Sequence, residues 1–338
     1  MAQEAPRFFP DFFVVGAPRC GTTSLCRQLA LHPQICFSKP KEPHYFSRLA
    51  PGDAEDDLES AYLERCFRHR GPQHLRAGEG SVSYLYSPEA IERILAHAPQ
   101  ARFIVLVRNP LEMLLSYHLR MVYLLEEDEE DFAKAWSLQA ARARGERIPS
   151  TCYDPRLLQY REAGSLGMWV ERLVERVGRE RVHVVVYDDF SSDPQEAYAG
   201  VLRFLGLEPQ GERRVPRKQR SRGYRSRFVQ RLLYRPPLWV ARLAGVRVPG
   251  RSRARAAAAR RSSGAAASAP ARSSLLHGAG RALGREVTRL HKRLVRWNQV
   301  EVRPKPLPPA LREELRASFA SDIEKLSRLL GRDLTHWR

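Results

Sequence analysis

The stretch Gly16-Ala-Pro-Arg-Cys-Gly-Thr-Thr-Ser24 sets two glycines at G-x-x-x-x-G spacing, directly after the apolar run Asp11–Val15. A strand, a glycine turn and a helix start in that order make an anion cradle. Gly16 allows a sharp turn and Gly21 lets the backbone approach a ligand closely. The N–H groups that follow then point at the anion from a helix N-terminus. Thr22, Thr23 and Ser24 add hydroxyl donors, so Arg19, Cys20, Gly21, Thr22, Thr23 and Ser24 are the candidate phosphate contacts. A nucleotide triphosphatase carries a lysine after the second glycine, for the β- and γ-phosphates. Here Thr22 stands in that place and the cation sits earlier, at Arg19.

Two further groups could act with the loop. Arg108, in Val107-Arg-Asn-Pro-Leu-Glu-Met-Leu-Leu-Ser116, leaves the end of an apolar run, and Ser116 follows within a helical pattern. A guanidinium is fixed in charge and suited to forked phosphate contact. In Lys39-Pro-Lys-Glu-Pro-His-Tyr-Phe46, the carboxylate of Glu42 stands among Lys39, Lys41 and His44. On its residues alone this segment reads as a surface charge cluster. No His/Cys/carboxylate group has metal-ligand spacing, so no metal is expected.

These groups need a scaffold, and the hydrophobic pattern describes one. Strands are expected at 11–15, 102–107 and 181–187, and helices at 23–31, 87–96, 111–123, 157–177 and 193–205. Strands alternating with helices predict an α/β fold with a central, mostly parallel sheet and helices on both faces. Leu311, Leu315, Phe319, Ile323, Leu326 and Leu330 predict a final helix within 307–337. The acidic run Glu126–Asp131 reads as a solvated helix end or loop. Residues 251–275 are rich in Ala, Arg and Ser without an apolar stripe and read as a flexible insertion in a single domain spanning 1–338.

The chain has 338 residues and a net charge of +19. Residues 211–300 hold 24 Lys+Arg against 2 Asp+Glu, while the rest holds 33 against 36. One basic block is thus superimposed on a nearly neutral protein, suiting an anionic acceptor or a membrane surface. The five cysteines are odd in number and lack C-x-x-C spacing, which points to a reducing, cytoplasmic setting. No apolar run reaches transmembrane length, and the first ten residues do not read as a secretory signal.

Val15-Gly-Ala-Pro-Arg-Cys-Gly-Thr-Thr-Ser-Leu25 resembles the 5′-phosphosulfate-binding loop of sulfotransferases that use 3′-phosphoadenosine 5′-phosphosulfate (PAPS), above all their bacterial and heparan-sulfate-type branch. The resemblance implies a P-loop-type three-layer fold, PAPS as cosubstrate, 3′-phosphoadenosine 5′-phosphate (PAP) as product, and no metal. It implies that Arg19 contacts the bridging and sulfuryl oxygens and that Arg108 with Ser116 holds the 3′-phosphate. Glu42 aligns with the general base, with His44 as the runner-up. Gln219-Arg-Ser-Arg-Gly-Tyr-Arg-Ser226 occupies the place of a later nucleotide-binding loop, which nominates Arg225 for a further phosphate contact. Gly78-Glu-Gly-Ser-Val-Ser-Tyr84 departs from several relatives, which carry a lysine where this chain has Gly80.

The implied reaction is sulfuryl transfer to a hydroxyl on a glycan, lipid or small metabolite. Two rival classes are a P-loop kinase or ATPase, and a basic nucleic-acid-binding protein. The missing loop lysine disfavours the first. The basic block lacks aromatic interleaving, a helix-turn-helix or a zinc pattern, so no specific nucleic acid is expected.

Overall fold

The computed structural model describes residues 8–48, 55–209, 221–235 and 289–337. The insertion expected at 251–275 lies outside them. The chain divides into two compact units, one drawn from Met1–Tyr117, Tyr160–Gln219 and Pro306–Arg338, the other from the two remaining stretches.

The first unit opens with β1 (Phe12–Gly16), α1 (Thr22–Leu29), β2 (Ile35–Phe37), α2 (Tyr45–Arg48), α3 (Glu55–Phe67), β3 (Arg76–Glu79), α4 (Pro88–His97), β4 (Arg102–Val107) and the start of α5 (Pro110–Leu124), whose residues from His118 onward are counted in the second. The second unit then contributes α6 (Phe132–Ser137) and α7 (Gln139–Ala143). The first resumes with α8 (Tyr160–Gly164), α9 (Leu166–Val177), β5 (Val182–Val186), α10 (Tyr187–Ser192) and α11 (Pro194–Phe204). In the second follow β6 (Arg222–Tyr224), α12 (Arg227–Tyr234), α13 (residues 289–298) and β7 (Gln299–Glu301), and the chain closes with α14 (Pro309–Leu330) in the first.

Five strands form one sheet in the order β2-β3-β1-β4-β5, and every pairing in it is parallel. β1 is buried at all five positions, and β4 at its last five, as a sheet covered on both faces requires. The sheet and its helices are the α/β architecture expected from the sequence. In such sheets, ligands bind beyond the carboxyl ends of the strands, where the strand order reverses. β1 lies centrally, so the exits of β3, β1, β4 and β5 converge there. β2 and β3 are the strands the hydrophobic pattern does not announce, being short and, in Arg-Ala-Gly-Glu, hardly apolar.

The structure corrects the single helix expected over 157–177. A 3₁₀ turn (Pro155–Leu158) precedes α8 and α9, which are separated at Ser165. The cause is α14. A Cβ on Gly164 would stand 2.7 Å from Phe319 Cζ, and one on Gly167 2.2 Å from Asp322 O. Asp322 then accepts the N–H groups of Gly167 and Met168, both at 2.8 Å, and so caps α9 from another helix. The final helix itself stops at Gly331, which adopts φ 60° as a left-handed cap, and its apolar stripe is buried from Leu311 to Leu326.

A second correction falls in the second unit. The acidic run expected to be solvated starts with two buried carboxylates, Glu126 and Glu127. Arg142, itself buried, grips Glu127 in a two-pronged contact at 2.6 and 2.7 Å. Glu127 also accepts the N–H groups of Asp128 and Glu129, each at 2.9 Å. Glu126 pairs with Arg235 and accepts the N–H of Tyr153 at 3.0 Å. Buried charge is tolerated where it is paired and its remaining lone pairs are bonded.

Candidate active site

β1 delivers the chain into the phosphate loop with a register shift between Val14 and Gly16. Gly16 is required by space, since a Cβ there would lie 2.7 Å from Leu85 Cδ2. Gly21 is required by conformation, since its φ is 96°. It starts α1 without any side-chain cap, whereas Ser87, Asp131, Asp193 and Ser226 cap their helices. Glycine brings no side chain to this helix start, where Ser24 N–H turns back to Gly21 O at 2.9 Å. Thr22 is buried there, and Thr23 and Ser24 are half-buried beside it.

Arg19 has φ 65°, a conformation that non-glycine residues adopt at a cost and mostly where function holds them. Its Nε donates to Ser116 Oγ at 2.8 Å, tying the loop after β1 to α5. Arg108, at the exit of β4, donates from Nη1 to Arg19 O at 3.4 Å and lies over the Tyr187 ring at 4.5 Å. Its Nη2 is 2.5 Å from Glu112 Oε2, an exposed carboxylate one turn along α5. Arg19, Arg108 and Ser116, chosen from sequence, thus form one cluster. Cys20 belongs to the loop, but burial pushes its thiol up to about 12, so its backbone is the useful part.

Glu42 and His44 form a second cluster, stapled to the exit of β3. The N–H of His44, which has φ 52°, donates to Ser81 Oγ at 2.9 Å, and its Nδ1 lies 2.7 Å from Ser83 Oγ. His44 Nε2 stands 3.6 Å from Glu42 Oε2, while Lys41 Nζ pairs with Glu42 Oε1. Burial pushes the Glu42 carboxyl up, but the neighbouring imidazole and the Lys41 ammonium outweigh it and hold it at about 2. Glu42 is thus an ionised carboxylate, able to accept a proton. Arg225 belongs to the second unit, at the end of β6, where its N–H donates to Asn298 O at 2.7 Å and its side chain is exposed.

Sequence reasoning missed Glu79, the last residue of β3. It is fully buried, and neither carboxylate oxygen has a hydrogen-bond partner among the described residues. Burial pushes its carboxyl up to about 8, against the weaker opposing influence of the hydroxyls of Tyr84, Tyr62 and Ser81. No local pattern marks such a residue; only the unexpected β3 puts it inside. Because the folded protein holds this proton and the unfolded chain releases it near 4.5, the stability that Glu79 contributes is full below that value and is lost as pH rises toward 8. Glu79→Gln should remove that decline. Urea midpoints at pH 5 and pH 8.5, compared for wild type and variant, measure it, and parallel losses in both would contradict it.

The parallel sheet thus carries a glycine loop after its central strand, joined to Arg108 and Ser116, and a carboxylate cluster tied to the residues after β3. The family model described as "Sulfotransferase domain" matches residues 9–222, and the chain belongs to this family. Human carbohydrate sulfotransferase 15 is 31% identical over a stretch covering 33% of this chain and 27% of that protein. The human bifunctional heparan sulfate N-deacetylase/N-sulfotransferase 3 is 25% identical, over 59% of this chain and 22% of that protein. The chain thus matches about a quarter of the length of these relatives. A crystal structure of a sulfotransferase from Alicyclobacillus acidocaldarius shares the fold, with TM-score 0.61 and 24% identity over 98% of this chain and all of the other.

Proposed function

We propose that the chain transfers a sulfuryl group from PAPS to a hydroxyl of a glycan acceptor, with Glu42 as general base. The observation that carries this reading is the joining of Arg19, Ser116 and Arg108 at the loop that opens α1, with Glu42 acting electrostatically on Cys26 of the same helix. Glycan-acting relatives support the acceptor class.

In this reading the amides of Gly21, Thr22 and Thr23, with Ser24, hold the 5′-phosphosulfate. Arg108 and Ser116 hold the 3′-phosphate. Sulfuryl transfer, like phosphoryl transfer, depends on in-line positioning and charge stabilisation. The acceptor oxygen bonds to sulfur as the bond from sulfur to the phosphate oxygen breaks, and the electron pair leaves with PAP. The acceptor proton passes to Glu42, and Arg19 faces the charge that develops on the leaving oxygen.

The test begins with the donor. Labelled PAPS is expected to transfer its sulfuryl group to a heparan-type glycan, and failure across glycans, lipids and phenols would count against the reading. Arg108→Ala removes a charge-assisted contact of ~1.5–3 kcal/mol, so PAP affinity should fall roughly ten- to a hundred-fold. An unchanged dissociation constant by calorimetry would remove Arg108 from the 3′-phosphate.

A further inference from the structure

Gly80 follows Glu79 directly and bears on the segment that carries Glu42. Its N–H donates to Lys41 O at 3.1 Å, and Ser38 Oγ donates to the same carbonyl at 3.2 Å. Lys41 is therefore fixed at its backbone from two sides. Its side chain runs along the bare face of the glycine. A Cβ on residue 80 would meet Lys41 Cε at 3.3 Å and Cys26 Sγ at 2.6 Å. Cys26 belongs to α1, the helix that begins at the phosphate loop. The space a side chain at 80 would claim is thus shared by the Lys41 stem and the flank of α1. At the end of that stem the ammonium meets Glu42 Oε1, with 23% of the side chain still exposed.

We infer that Lys41 is a sulfuryl-contacting cation which bridges the donor and the base, seated there because residue 80 has no side chain. The inference rests on the reading of PAPS as donor and Glu42 as base. An ammonium has three N–H donors and no acceptor. One is directed at Glu42, and two are left for the sulfuryl oxygens. Lys41 keeps all its protons through the reaction. It opposes the charge on the sulfuryl oxygens while sulfur passes from the phosphate oxygen to the acceptor oxygen.

The bridge also acts on Glu42. A carboxylate held at about 2 is fully ionised but a weak base at neutral pH. A sulfuryl group drawing on the same ammonium weakens its hold on the carboxylate and strengthens the base. The gain arises only with the donor in place, which couples proton acceptance to donor binding.

The test compares PAP and PAPS, which differ by the sulfuryl group. In Lys41→Met the wild-type preference for PAPS over PAP, measured by calorimetry without acceptor, should fall at least about tenfold, with PAP affinity nearly unchanged. Single-turnover transfer should fall by about 10²–10³-fold, as for other groups facing charge in a transition state. Lys41→Arg keeps a cation and should retain the preference. Lys41→Gln replaces Lys41→Met if that variant does not bind PAP. Equal weakening of PAP and PAPS, or transfer within about threefold of wild type, would overturn the inference. Glu42→Gln run in parallel separates the two readings. Normal transfer there removes the base assignment, whereas loss of transfer there with a normal Lys41→Met removes only the bridge.

Discussion

Glu42→Gln is expected to slow single-turnover sulfuryl transfer by about 10²–10⁴-fold, the usual contribution of a placed acid–base group. The amide keeps the size of the side chain but cannot take the acceptor proton. PAP affinity should change little, since the proposed phosphate contacts are the loop, Arg108 and Ser116, while Glu42 belongs to the segment held by Ser81 and Ser83. The measurement is a rapid-quench time course with PAP calorimetry on the same preparation. If Glu42 were only a surface charge, turnover would stay near normal, because exposed ion pairs individually contribute little. Near-wild-type transfer would pass the role to His44, whose ring stands beside the same carboxylate. A collapse of PAP binding would show instead that Glu42 supports the shape of the site.

Arg142→Ala should destabilise the second unit by ~3–5 kcal/mol, the cost of leaving a buried carboxylate without its partner. Both Arg142 and Glu127 have side chains with no exposure to solvent, which sets this pair apart from the exposed Arg176–Glu92 contact. Replacing both members, as in Glu127→Leu with Arg142→Met, should restore much of the loss, because an apolar pair leaves no charge uncompensated. Chemical denaturation followed by fluorescence tests both variants. A loss below about 1 kcal/mol in Arg142→Ala would place the pair with surface contacts.

The readable parts of this protein are those whose cause is local. β1, β4 and β5 are apolar runs, and the phosphate loop is contiguous, so strand, turn and helix start stand together in the chain. Glu42, Lys41 and His44 are neighbours and show as a cluster before any fold is known. What escaped depends on distant residues. Glu126 and Glu127 look solvated until Arg235 and Arg142 are placed against them. The break between α8 and α9 is set by Phe319 and Asp322, more than 150 positions onward. Glu79 has no apolar neighbours in sequence to announce its burial, and Ser81 and Ser83 show their link to His44 only once β3 is paired in the sheet. The role of Gly80 is likewise a matter of what passes over it.

The end of the first unit carries a consequence for how the protein is made. Trp337 Nε1 donates to Asp188 Oδ2 at 2.8 Å, and Arg332 Nη2 donates to Asp189 Oδ1 at 2.8 Å, both just after Tyr187. Trp337 O accepts from Asn109 Nδ2 at 3.3 Å, one residue beyond Arg108. The strand exits that bear Arg108 and Tyr187 are therefore latched by residues some 150 to 230 positions downstream. Because a chain emerges from the ribosome N-terminus first, the sheet and phosphate loop are synthesised long before this latch. A nascent chain still short of residue 337 therefore holds Arg108 and Tyr187 on strand exits that this latch has not yet fastened.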